Sequence, residues 1–258
     1  MSNELKQVDE TLLTSLKFAI DENFRGFYLV FQPLFHVDVS DSAKRTIVGY
    51  EALARWDHVP PDVFIPLAEQ HGLIEAIGEF VIEELLRTIK HLGQFMVFDH
   101  IRFFFNLSGQ QVSMNGNFLN YLKTTIDLYG IKASLLGVEL TETCAINDVS
   151  AAKWMVDALT EIGIDVALDD FGIGTSGMAR LQELNISKIK IDRSFVRIEH
   201  AKSMSIIRNT LRMATEMNID VVIEGIETDE QLKQLLEMGA TLFQGFLLGK
   251  PKKVMGAC

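Results

Sequence analysis

The chain has 258 residues, 48% of them hydrophobic and 23% charged, which is enough to bury a full core in one α/β barrel or two smaller domains. Its formal net charge of -11 and the lack of a basic stripe argue against a general nucleic-acid binder. A small phosphate-bearing substrate would also be repelled, unless bound cations inverted the local field.

Two cysteines, Cys144 and Cys258, lack CxxC spacing and indicate neither a disulfide framework nor a zinc site. The start, MSNELKQVDE, has no basic segment followed by an apolar core, and no run approaches a membrane span. No Pro/Gly/Ser-rich linker divides the chain. The expectation is one domain over residues 1–258, soluble and cytoplasmic, with no membrane partner.

In chain order, Leu5–Asn23 carries Val8, Leu12, Leu16, Ala19 and Ile20 at helical spacing. Phe27–Val37 and Thr46–Leu53 read as strands, with polar Asp38–Arg45 as a rather long hairpin connection. Phe64–Gly72 is a short helix and Glu75–Leu92 a longer amphipathic one. Strand and helix then alternate. The strands are Ile101–Leu107, Leu136–Thr141, Ile164–Asp169, Ser187–Asp192, Ile219–Glu224 and Thr241–Gly245. The helices are Gly109–Tyr129, Ser150–Ile162, Ser176–Leu184, Ala201–Met217 and Asp229–Met238. Near-continuous apolar strands between amphipathic helices imply a parallel sheet covered on both sides. Eight strands with a hairpin-like start predict a modified (β/α)8 barrel of TIM type, with an open doubly wound sheet as second choice.

The densest stretch runs from Ala167 to Gly174 (ALDDFGIG) and on to KIKID at Lys188–Asp192, where alternation puts Lys190 and Asp192 on one face and Ile189 and Ile191 on the other. Strand after strand ends in an acid or amide: Glu51, Asn106, Glu139, Asp169 with Asp170, Glu224 and Gln244. One such residue is a solvated strand terminus. Five strands each delivering Asp, Glu or Asn at the edge where barrel enzymes gather catalytic groups ask for another reason. Crowded carboxylates raise one another's pKa unless counter-charge is present, and divalent cations supply it. Every candidate ligand is an oxygen donor, favouring Mg²⁺ or Mn²⁺ over Zn²⁺. Adjacent Asp169 and Asp170 suit two ions about 3.5–4 Å apart sharing a carboxylate, the arrangement used for in-line phosphoryl displacement. Lys190 would hold a phosphate oxygen or orient a water there; taken alone it would be a salt-bridge partner of Asp192 or Asp169.

Gly172, Gly174 and Gly177 also spell GxGxxG, with Asp192 twenty residues beyond Gly172, in the form of a dinucleotide-binding fingerprint. Asp169 and Asp170 immediately before it would repel a pyrophosphate. The glycines read better as a loop that turns tightly and moves.

EALAR (Glu51–Arg55), FNLS (Phe105–Ser108), ELTE (Glu139–Glu142), DDFG (Asp169–Gly172), KIDRSF (Lys190–Phe195), EGIET (Glu224–Thr228) and QGF (Gln244–Phe246) together resemble the signature set of EAL-domain cyclic di-GMP phosphodiesterases. They occur in the family's order, from about residue 18 to 251. The resemblance implies a barrel whose first strand is antiparallel to the rest, and hydrolysis of cyclic di-GMP to linear pGpG with two Mg²⁺ or Mn²⁺ ions. It implies that Glu51, Asn106, Glu139 and Asp169 bind one ion, and that Asp169, Asp170 and Glu224 bind the other. Lys190 would position the water or a phosphate oxygen, with Gln244 supporting it. Gln32 and Arg55 would contact the substrate, Glu142 would anchor the loop after Asp170, where Gly174 and Ser176 keep the family pattern, and Asp192 and Glu227 would brace the site. Dimerisation through barrel helices is carried by the resemblance alone, and the regulating signal is left to a partner protein. Two departures, Ile173, Thr175 and Gly177 in the loop and a short Trp56–Phe64 segment, support the alternative of a catalytically weak or silent cyclic di-GMP receptor or interaction module.

Overall fold

The computed structural model describes residues 3–94, 100–113, 116–142, 144, 148–172, 181–197 and 201–254. The chain enters through helix α1 (Asn3–Asp21), which buries Leu16 and Ala19 and leaves Phe18 exposed. Strands β1 (Phe27–Asp38) and β2 (Asp41–Trp56) follow as an antiparallel hairpin joined only by Val39 and Ser40. The connection is thus tighter than Asp38–Arg45 suggested. Residues 41–46 are exposed strand, an arm in solvent whose polar side chains masked its extended backbone.

Helices α2 (Pro61–Gln70) and α3 (Ile74–Leu92) come next, α2 starting with Pro61 at its first position, where a missing N–H costs nothing. Then come β3 (Arg102–Leu107), α4 (Gly109–Ser113), α5 (Asn117–Tyr129), β4 (Leu136–Thr141), α6 (Val149–Glu161) and β5 (Asp165–Phe171). The single helix expected over Gly109–Tyr129 is two, because Gly116 at φ 86° starts α5 afresh. The rest is β6 (Lys188–Ile191), a single turn α7 (Ser194–Arg197), α8 (Ala201–Met217), β7 (Asp220–Ile223), α9 (Asp229–Glu237) and β8 (Leu242–Phe243).

The strands close in sequence order into an eight-stranded barrel, not an open sheet. Strand β1 runs antiparallel to both its neighbours, β2 and β8, and the pairs from β2 to β8 are parallel. The main apolar core lies between the barrel wall and the helices. Inside the barrel, Leu34, Phe104, Ala167 and Val222 form a separate buried layer. They come from β1, β3, β5 and β7, the alternate-strand layering that fills such barrels. Phe104 supplies most of its bulk, and the strands between make room: a Cβ on Gly137 would lie 2.3 Å from the Phe104 ring.

Candidate active site

Period-two alternation carries each interior position two residues towards the barrel mouth. From Phe104, Ala167 and Val222 it leads to Asn106, Asp169 and Glu224; along antiparallel β1 it leads from Leu34 back to Gln32. The even strands place Glu51, Glu139, Lys190 and Gln244 between these two layers. The barrel therefore swaps hydrocarbon for polar groups over its last two layers, at the end where the parallel strands finish.

Lys190 is the hub, with 3% of its side chain exposed. Its Nζ lies 2.7 Å from Glu224 Oε1, 2.8 Å from Glu139 Oε2, 3.4 Å from Glu51 Oε2 and 3.4 Å from Asp169 Oδ1. The lysine thus meets Asp169 but also three glutamates, and Asp192 is not among its partners. Burial alone would lower the Lys190 pKa, but the surrounding carboxylates hold it well above its ordinary value. Burial would likewise raise Glu51, but the Lys190 charge and donated bonds from Asn106 Nδ2 (3.0 Å) and Gln244 Nε2 (2.9 Å) hold it below the usual range.

One ammonium does not balance this set. Burial, then the nearby Glu51, pushes Glu139 well above its ordinary value. Burial pushes Glu224 up to about 7 despite Lys190, and burial and Asp169 raise Asp170. Among the described residues, no three acidic, histidine or cysteine side chains are pre-set at metal-binding distances from a common point; the carboxylates turn onto Lys190. The donor set nevertheless fits hard divalent cations, because it is all oxygen and short of positive charge.

Adjacent residues of a strand face opposite ways, so Asp169 and Asp170 need a device to share one site. Between Leu168 and Phe171 the pairing with β6 slips, and Asp170 takes the left-handed conformation at φ 57° while its N–H donates to Asp169 Oδ1 at 2.9 Å. This bulge turns both carboxylates to the same cavity. Just beyond it, the Gly172 N–H donates to Glu142 Oε2 at 3.1 Å, tying the start of the following loop to a glutamate 2% exposed. Gly174, Ser176, Ile173, Thr175 and Gly177 lie outside the described residues.

The cavity above Lys190, about 340 Å³, gathers Gln32, Glu51, Asp169, Asp170, Asp192, Glu224, Glu227 and Gln244. Asp192 Oδ1 accepts the Ser194 N–H at 2.8 Å, and Glu227 pairs with Arg197 at 2.9 Å. Arg55 is not on this wall. With Asn106 it borders a second cavity of about 400 Å³ between β2, α2 and α3, its Nη1 donating to the Ala54 carbonyl at 2.8 Å. Arg193, Arg197 and Phe246 also line the first cavity and were not read as site residues. Arg193 and Phe246 lie inside the KIDRSF and QGF runs, and Arg197 two residues beyond the first of them.

The EAL-domain model matches residues 15–251. The chain belongs to the EAL domain family. It is 33% identical over 257 residues to the oxygen sensor protein DosP of Escherichia coli (strain K12), covering 96% of this chain and 31% of the relative. It is also 33% identical over 248 residues to the cyclic di-GMP phosphodiesterase PA2567 of Pseudomonas aeruginosa, covering 93% of this chain and 41% of the relative. This EAL chain thus spans well under half the length of these curated relatives. Among solved structures, the PaMucR phosphodiesterase in complex with c-di-GMP matches with a TM-score of 0.85 at 30% identity, covering 94% of this chain and 98% of that one. No helix among the described residues of the EAL chain is long and apolar enough to cross a membrane.

Proposed function

We propose that this EAL domain hydrolyses cyclic di-GMP to linear pGpG. The observation that carries the reading is the Lys190 hub, with carboxylates from β2, β4, β5 and β7 converging on one buried cation at the barrel mouth. The name of the Pseudomonas aeruginosa relative and the c-di-GMP complex of PaMucR support the choice of substrate.

Glu51, Asn106, Glu139 and Asp169, and Asp169 with Asp170 and Glu224, would hold two divalent ions, Mg²⁺ or Mn²⁺, whose chemistry is to lower the pKa of water and to neutralise charge on phosphoryl oxygens. The chain's own residues do the positioning. Asn106 and Gln244 lock the Glu51 carboxylate from two sides, so it meets the substrate in one orientation. Lys190 donates to a non-bridging phosphate oxygen, or to the attacking water, from a buried place where its charge is little screened. Gln32 and Arg55 border different cavities, so a ligand with two bases would reach them at opposite ends. Glu142 holds Gly172, directly after the bulge at Asp170. Asp192 and Glu227 keep the β6 and β7 ends in place through Ser194 and Arg197.

The test is incubation of the protein with cyclic di-GMP and Mg²⁺, with products separated by chromatography. Appearance of pGpG is the expected result. Tight binding with the cyclic dinucleotide recovered intact would replace the enzyme with a receptor.

A further inference from the structure

Among the described residues, Phe246 is the one large exposed hydrophobic side chain that borders the acidic cavity, and 55% of it is open. The turn that carries it is stiff. Gln244 N donates to Ile223 O at 3.0 Å, Leu247 N to Ile226 O at 3.0 Å and Gly249 N to Gly245 O at 2.9 Å. A Cβ on Gly245 would lie 2.2 Å from the Ile226 carbonyl, so this backbone cannot shift without losing its seat. Lys252 pairs with Phe31 through two backbone bonds of 2.8 and 3.1 Å, strapping the far end to β1. Leu247 and Leu248 pack against the β7–α9 core, while Phe246 between them and Gly245 is turned outward. Lys250 Nζ sits 5.4 Å from its ring centroid. A phenylalanine left this open forfeits much of the gain of burying its ring. A rigid turn that sends its leucines inward and its aromatic ring to the cavity edge is built to offer that ring to a flat ligand.

We infer that Phe246, steadied by Lys250, is the stacking face for one purine base of the substrate while the phosphodiester lies over Lys190. The inference rests on the proposed function and goes one step further, naming a residue that sets affinity and not rate. A stacked base contributes free energy that is already present in the ground state, so its loss raises KM and leaves kcat alone. Stacking accepts any flat base, so Phe246 supplies affinity without choosing between purines.

The experiment measures kcat and KM for cyclic di-GMP with Mg²⁺ in the wild-type chain and in Phe246→Ala, Phe246→Leu and Phe246→Trp. The side chain is exposed, so the variants fold, and thermal unfolding checks this. Alanine and leucine are expected to raise KM about 5- to 150-fold, the range spanned by one stacked base, with kcat within about twofold. Tryptophan is expected to restore KM, and its fluorescence to be quenched as cyclic di-GMP saturates the protein in Ca²⁺. Trp56 and Trp154 in the wild-type chain set the background for that signal. An unchanged KM in Phe246→Ala, or full rescue by leucine, overturns the inference while leaving the hydrolase intact. A wild-type chain that neither binds nor cleaves cyclic di-GMP removes the proposed function and this inference together.

Discussion

Lys190 Nζ and Glu139 Oε2 stand 2.8 Å apart in the barrel interior, each side chain 3% exposed. They come from β6 and β4, with β5 between them, and losing the lysine would leave Glu139 and its neighbouring carboxylates without their shared counter-charge. Breaking such a pair from one side costs about 3–5 kcal/mol. Lys190→Met is therefore expected to lower thermal stability in chelator, to regain part of it in Mg²⁺, and to cut turnover by about 10² or more. Calorimetry with and without Mg²⁺, beside a turnover assay, checks this; an unchanged melting temperature in chelator would contradict it.

Phe104 lies in the layer beneath, and Gly137 on the neighbouring strand makes room for its ring. A Cβ at residue 137 would meet the Phe104 ring at 2.3 Å, so Gly137→Ala is expected to cost about 1–3 kcal/mol by overpacking. Phe104→Ala, which removes a ring 2% exposed, is expected to cost about 3–5 kcal/mol. Phe104→Leu should recover part of the loss in the Gly137→Ala background. Denaturant unfolding of the wild type, Gly137→Ala, Phe104→Leu and the double variant gives the coupling, and strictly additive costs would mean the two residues do not share that space.

Asp170 occupies the left-handed region at φ 57°, where asparagine and aspartate are tolerated and β-branched residues are strained. Asp170→Asn should unfold within about 0.5 kcal/mol of the wild type yet lose turnover, because the carboxylate is gone and the backbone is kept. Asp170→Val should lose both, with about 1–2 kcal/mol of stability. Equal stability of the two variants would show that the bulge does not depend on this residue.

Cys144 is buried against Gly109, and burial pushes its thiol up to about 11, with Glu69 adding to the shift. A thiol that holds its proton more tightly when folded contributes stability below its unfolded value near 9, lost as pH rises through about 11. In a Cys258→Ser background, labelling by a thiol reagent should be slow at pH 8 and accelerate steeply only above about pH 10. Rapid labelling at pH 8 would contradict the burial.

Much of this architecture is legible in the residues. Strand β4, Leu136–Thr141, falls where its apolar run predicts, because a strand buried on both faces leaves an unbroken signal. The antiparallel first strand is a different matter: it came with the family resemblance, since hydrophobic pattern carries no direction. The hairpin arm over residues 41–46 escaped notice because it touches no core, and the break before α5 because a helical stripe runs through it. At the site, residue type and strand-end position were enough to bring Glu51, Glu139, Asp169 and Lys190 together. Pattern alone would have turned Asp170 away from the cavity, since a bulge breaks the very alternation that the reading relies on. Arg193 and Phe246 sit in turns and Arg197 ends the four-residue α7, too short for any periodicity to say which way a side chain points.

In the proposed reaction the oxygen donors around Lys190 serve metal-dependent cleavage of a cyclic dinucleotide. Turnover of cyclic di-GMP in Mg²⁺, Mn²⁺, Ca²⁺ and chelator, with wild-type chain and Glu51→Ala side by side, tests it most directly. Product pGpG is expected in Mg²⁺ or Mn²⁺ and none in Ca²⁺ or chelator, with a loss of at least about 10² in rate for Glu51→Ala. Wild-type turnover that survives chelation, or a Glu51→Ala variant as fast as the wild type, would contradict it.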